Sequence, residues 1–245
     1  MRSAALARPA ATADELARLR ERIERIERTS RIGSEAPVLP APAGIAGLLP
    51  GGGLRTGTAY SLDRSMPLIT ALLAAPSAAG AWCAVIGMPE LGIEAAEASG
   101  IALDRLVLVP RPGERWLGVA AALAEVVGVV ALRPGGTVRD GEAARLAARL
   151  RERETVLLVQ GRWPGAEASI RAGAPDWTGL GEGHGCLDRG EATIAVDVRR
   201  GPGSRRARVV LVGSSGLPAV PGDAVGRGDA GTGHEATGRR LRAVG

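Results

Sequence analysis

The residues best suited to chemistry cluster around one short run. Gly51-Gly52-Gly53 precedes an apolar strand, Thr58–Leu62, and the strand runs out into Asp63-Arg64-Ser65-Met66-Pro67 before an apolar helix. Glycines before a strand and a helix after it could cradle phosphate if the intervening loop read G-x-x-x-x-G-K-[ST]. In such a loop backbone amides approach the phosphates, lysine reaches the β and γ oxygens, and a hydroxyl holds magnesium. Here the loop holds no glycine, and the whole chain contains no lysine. Asp63 or Ser65 is placed instead to cap the helix, with Pro67 in its first turn. A carboxylate at that point stands where an anion would bind. His184-Gly185-Cys186 is the other eye-catching group, but with only His234 and Cys83 elsewhere it supplies too few ligands for a metal or a catalytic site. No cofactor, metal or catalytic residue is therefore expected.

Other positions suit contacts with macromolecules. Arg199, Arg200, Arg205, Arg206 and Arg208 gather around a Gly-Pro-Gly turn and could meet DNA phosphates or an acidic partner. A solvated arginine-rich hairpin is the simpler reading of the same residues. Trp163 and Trp177 stand in a Gly/Pro-rich stretch and could anchor a protein partner, or could cover one end of a sheet. Leu16, Leu19, Ile23 and Ile26 form a narrow apolar stripe on a helix over 12–28, opened by the capping box Thr12-x-x-Glu15. That stripe must be buried against its own domain, a partner or a second copy.

The elements that position these residues follow from hydrophobic patterning. Strands are expected at Thr58–Leu62, Trp82–Ile86, Leu106–Val109, Val126–Leu132, Val156–Val159, Thr193–Val198 and Val209–Val212, with helices at Pro67–Ala75, Glu90–Ser99, Glu114–Glu125 and Arg139–Arg153 between them. Near-continuous Val/Leu strands alternating with helices predict an α/β fold: a mostly parallel sheet with helices on both faces. The last two strands lack an intervening helix and predict an antiparallel edge hairpin. The expected organisation is an N-terminal amphipathic helix over 1–32, a Pro/Gly-rich connector over 33–53, the core over 54–212, and a disordered basic tail over 213–245.

Composition narrows the function classes. The net charge is +5, and every one of the 31 basic residues is arginine, as codon bias in a GC-rich genome produces, so basicity alone does not argue for nucleic acid. Aromatic residues are only 2% of the chain, which removes the stacking platform that single-stranded bases use. No apolar run reaches the roughly eighteen residues of a membrane span, and a cytoplasmic location is expected.

The order Gly44-Ile45-Ala46-Gly47-Leu48-Leu49-Pro50-Gly51-Gly52-Gly53, then the strand Thr58–Leu62, resembles the RecA superfamily, in which a glycine-rich turn precedes the first core strand. The resemblance continues through Trp82–Ile86, Pro110-x-Pro112-Gly113-Glu114, Thr155–Gln160 and Val196-Asp197-Val198-Arg199-Arg200, and spans Gly44 to Val212. Where that family keeps a magnesium-coordinating aspartate, this chain has Arg133, and Gln160 matches an ATP-sensing glutamine. Among RecA-like proteins without a phosphate loop, the chain is similar to the actinobacterial ImuA-prime family of the damage-inducible mutasome. The resemblance implies a non-catalytic accessory protein of error-prone translesion synthesis. Its implied partners are an ImuB-like inactive relative of Y-family polymerases, indirectly a C-family polymerase, and RecA. The alternative from the residues themselves is a sequence-independent DNA-binding module.

Overall fold

Four-residue runs such as Cys83-Ala-Val-Ile86 and Val129-Val-Ala-Leu132 are fully buried, which only a sheet covered on both faces allows. The computed structural model describes residues 37–180, 185–199, 201 and 203–213, and builds such a sheet. Strands β1 (Val38–Leu39) and β2 (Leu54–Arg55) pair as a small antiparallel ribbon. The main sheet has nine strands: β3 (Ala59–Leu62), β4 (Cys83–Ile86), β5 (Leu106–Val109), β6 (Val129–Leu132), β7 (Val156–Gln160), β8 (Ala168–Ala172), β9 (Asp176–Leu180), β10 (Gly185–Val198) and β11 (Ser204–Gly213). Their order is β11-β10-β8-β3-β7-β6-β4-β5, with β9 also on β10. From β8 to β5 every pairing is parallel, whereas β8/β10, β10/β11 and β9/β10 are antiparallel. The mostly parallel α/β fold and its antiparallel edge hairpin are thus as expected.

Helices α1 (Ala43–Ala46), α2 (Met66–Ala78) and α3 (Ile93–Ala98) belong to one face; α4 (Trp116–Leu123) and α5 (Asp140–Arg153) cover the other. On the first face Leu68, Ile69, Leu72 and Leu73 of α2 pack over Tyr60, Val129, Leu158 and Ile194. On the second, Leu146 and Leu150 of α5 pack over Val130, Leu157 and Val159. Helix α2 is buried almost all round, so its sequence is apolar without a polar stripe, while α5 is amphipathic.

Several boundaries differ from the patterning, each for a local reason. Val126 is not in a strand: the amides of Glu125, Val126 and Val127 bond back to Ala122 and Leu123, completing the turn that ends α4, and β6 starts only after Gly128 bonds to Trp82 O. The connector expected over 33–53 is folded from Pro37 onward, because Ile45, Leu48 and Leu49 are buried in the core. Strands β8 and β9 have no sequence-level counterpart. Ala168-Ser-Ile-Arg-Ala172 buries Ile170 but otherwise shows small and polar residues, a weak period-two signal. The amphipathic stripe over 12–28 and the tail beyond 213 lie outside the described residues.

Candidate functional site

In a parallel sheet the carboxyl ends of the strands open onto a crevice, the usual place for a ligand. The register here brings Leu62 level with Gln160, Leu132 with Val159, and Ile86 with Leu132, so Asp63, Gln160, Arg133 and Gly87 stand side by side along that edge.

Asp63 takes up the hydrogen-bonding capacity of the loop between β3 and α2. Its Oδ1 accepts from the Ser65 amide at 3.1 Å and its Oδ2 from the Ala172 amide of β8 at 2.6 Å. Ser65 is the helix cap, its Oγ accepting from the Leu68 amide at 3.3 Å, and Pro67 carries no amide proton. The Ser65 and Leu68 amides at the start of the helix are therefore already satisfied by side chains, one of them a carboxylate.

Arg133 occupies the end of β6. Its Nε donates to Gln160 Oε1 at 2.5 Å, and its Nη2 donates to Glu90 Oε1 in an ion pair. Gln160 Nε2 reaches Met66 Sδ at 3.8 Å, linking the cluster to the first turn of α2. The Arg133 hydrogen bond, with the charges of Arg133 and Arg64, holds the Glu90 carboxyl below its ordinary value of 4.5. The neighbouring strand end fits closely. Gly87 has φ +76, and a Cβ there would lie 2.6 Å from Arg133 O, so only glycine lets the β4 and β6 loops meet. A guanidinium cannot ligate a cation, and its forked donors here tie the end of β6 to Gln160 of β7 and to Glu90 in the loop after β4.

Beyond β3, among the described residues, helices cover the sheet on one side only. Ile170, Ile194, Val196, Val209 and Leu211 face the core under α1 and α2. The opposite faces of β8, β10 and β11 carry Arg171, Asp197, Thr193, Arg206 and Arg208, with no helix over them among the described residues. Arg171 pairs with Asp197 at 2.5 Å, and Arg208 pairs with Asp176 at 2.6 Å and Glu191 at 2.9 Å.

The candidate residues from the sequence are thereby separated. Arg199, Arg205 and Arg206 are exposed, while Arg208 is committed to two carboxylates. Arg200, like Leu16, Leu19, Ile23 and Ile26, lies outside the described residues. Trp163 is only 3% exposed and belongs to the core under α4 and α5, its amide donating to Ser61 Oγ at 3.0 Å, which corrects its reading as a surface anchor. Trp177 is half-buried on β9, its ring so close to Gly190 that a Cβ there would come within 2.9 Å of it. Glu90, Arg162 and Arg171 were not singled out from the sequence, since single charged residues at strand and loop ends carry no periodic signal.

Among the described residues no three of His, Cys, Asp and Glu come together as a metal site. No helix there is long and apolar enough to cross a membrane. Residues 47–165 match the family described as MT3502 N-terminal domain. The chain is also 33% identical over 156 residues to the uncharacterized protein Rv3395c of Mycobacterium tuberculosis, an alignment covering 62% of this chain and 76% of that protein.

Proposed function

This chain belongs to the family of Rv3395c, and from that premise we propose that it is a non-catalytic, RecA-like accessory protein of the ImuA-prime type, holding together an error-prone translesion synthesis complex through protein contacts. The observation that carries the reading is how the strand ends are filled. Asp63 accepts from two backbone amides where the RecA resemblance would put a phosphate, and Arg133 bonds Gln160 where it would put a metal-binding aspartate. Strand ends held together by their own side chains in this way suit a fixed platform. Its partners in this reading are an ImuB-like inactive polymerase relative, through it a C-family polymerase, and RecA, in the cytoplasm. The actinobacterial source of Rv3395c is in keeping with that assignment.

Two measurements test it. Co-purification from DNA-damaged cells of the full chain, and of chains lacking 1–30 or 213–245, is expected to recover an ImuB-like protein and a translesion polymerase, with one truncation losing both. Recovery of neither rejects the assignment. Separately, millimolar ATP with magnesium is expected to leave the melting temperature unchanged, whereas binding to the folded state would raise it by linkage.

A DNA-binding module is the second reading, supported by the exposed Arg199, Arg205 and Arg206. Steep weakening of DNA binding with salt by the purified chain would favour it over the scaffold.

A further inference from the structure

Where the sheet passes to the part with no helix over it among the described residues, a cleft of about 550 Å³ opens between the loop after β7 and strands β8 and β10. Ser61, Ser169, the buried Trp163, the partly buried Ala166 and the exposed Arg162 and Arg199 line it. Its own carboxylates already have partners. Asp197 is held by Arg171, and Asp63 by two backbone amides. Arg162 meets no carboxylate among the described residues, and Arg199 makes only a long contact, 3.5 Å, to Gly165 O. Ser61 accepts the Trp163 amide and so keeps its own proton for donation. Among the described residues the cleft therefore presents two guanidinium groups without a carboxylate partner, and a hydroxyl, beside the apolar Ala166.

We propose that this cleft docks a short acidic segment of a protein partner, with two carboxylates taken by Arg162 and Arg199 and an adjoining small apolar side chain set against Ala166. The inference rests on the scaffold reading for the expectation that the partner is a protein. Guanidinium groups pair with carboxylates through two parallel hydrogen bonds, which suits a peptide side chain held at the mouth of the cleft. A nucleic-acid strand fits less well. Duplex DNA carries a charge about every 1.7 Å along its axis, and on leaving the cleft it would meet arginines already paired with carboxylates, Arg171 with Asp197 and Arg208 with Asp176 and Glu191. It would also find no stacking surface here, because Trp163 is buried.

The test pans a random short-peptide library against the full chain, then titrates a fluorescein-labelled member of the enriched set. Enrichment of peptides with paired Asp or Glu beside apolar residues is expected. The R162A/R199A double variant should bind the labelled peptide at least about tenfold more weakly, while R206A, on the same face outside the cleft, should bind as the parent chain does. Enrichment without acidic bias, or binding untouched by the double variant, overturns the proposal. So does a labelled oligothymidylate that binds more tightly than the peptide and is lost with the same two arginines. If the double variant still recovers the polymerase-related partners from cells, the cleft is not their dock, yet the scaffold reading stands; if the parent chain recovers none, the scaffold reading itself fails.

Discussion

The Arg133 guanidinium and the Gln160 side-chain amide meet across adjacent strand ends, Nε to Oε1 at 2.5 Å. Through that bond, and the ion pair to Glu90, three loops leaving β4, β6 and β7 share one cation. Arg133, Gln160 and Glu90 are thus partners of one another.

Arg133→Met should measure the worth of this bridge, since it keeps the stem and removes the fork. Both ion-pair partners are partly exposed, 27% for Arg133 and 43% for Glu90, so solvent screens much of the attraction. A loss of about 1 kcal/mol is expected, mainly from the Gln160 bond. Thermal unfolding should then shift downward by roughly 2–4 °C. An unchanged melting temperature would show that the strand ends hold together without the guanidinium.

The same pair sets a pH dependence. The folded-state pKa of Glu90 is depressed, so its contribution to stability is present above the unfolded value, near 4.5, and is lost as pH falls through the lower folded value. The stability difference between the parent chain and Glu90→Gln should therefore be constant at neutral pH and shrink towards zero in acid. Denaturant titrations across that range check it, and a difference that grew on acidification would reverse the assigned sign.

Much of this architecture was legible because burial on two faces leaves a strong mark: Val129–Leu132 and Val156–Gln160 could hardly be anything but central strands. The filled crevice was legible in part, because a missing lysine and an aspartate before a helix are visible in the residues themselves. What could not be read were partners set by the fold. Glu90 and Arg133 are 43 residues apart, and Asp63 and Ala172 are 109 apart. Nothing local in either pair announces the other. Trp163 misled for a related reason, since a tryptophan beside Gly161 and Pro164 looks like loop surface until Ser61 and α5 are placed around it.

Asp63→Ala should cost more than the Arg133 variant. It strips the acceptor from the Ala172 amide, which holds the carboxyl end of β8 beside that of β3, and from the Ser65 amide. Leaving such partly buried donors unpaired costs about 1–3 kcal/mol, whereas Asp63→Asn retains one acceptor oxygen and should cost less. Urea unfolding with an unchanged slope would report stability alone. Removing the carboxylate also probes nucleotide binding. A thermal response to ATP and magnesium that appears in Asp63→Ala and not in the parent chain would assign the exclusion of the nucleotide to this carboxylate.

Cys83 provides a check on the core itself. It is buried beneath α2, its Sγ donating to Leu73 O at 3.9 Å and Ala81 O at 3.8 Å, and burial pushes its pKa up to about 12. The thiolate is the reactive form, so at mildly alkaline pH only about one part in ten thousand of Cys83 would be ionised in the folded chain. In a Cys186→Ser background, labelling by a thiol-specific disulfide reagent should be slow in buffer and become fast in urea. The folded rate should follow the population of opened molecules, rising as denaturant lowers stability. Fast labelling without denaturant would mean that β4 is reached by solvent, and that α2 does not seal this part of the first core.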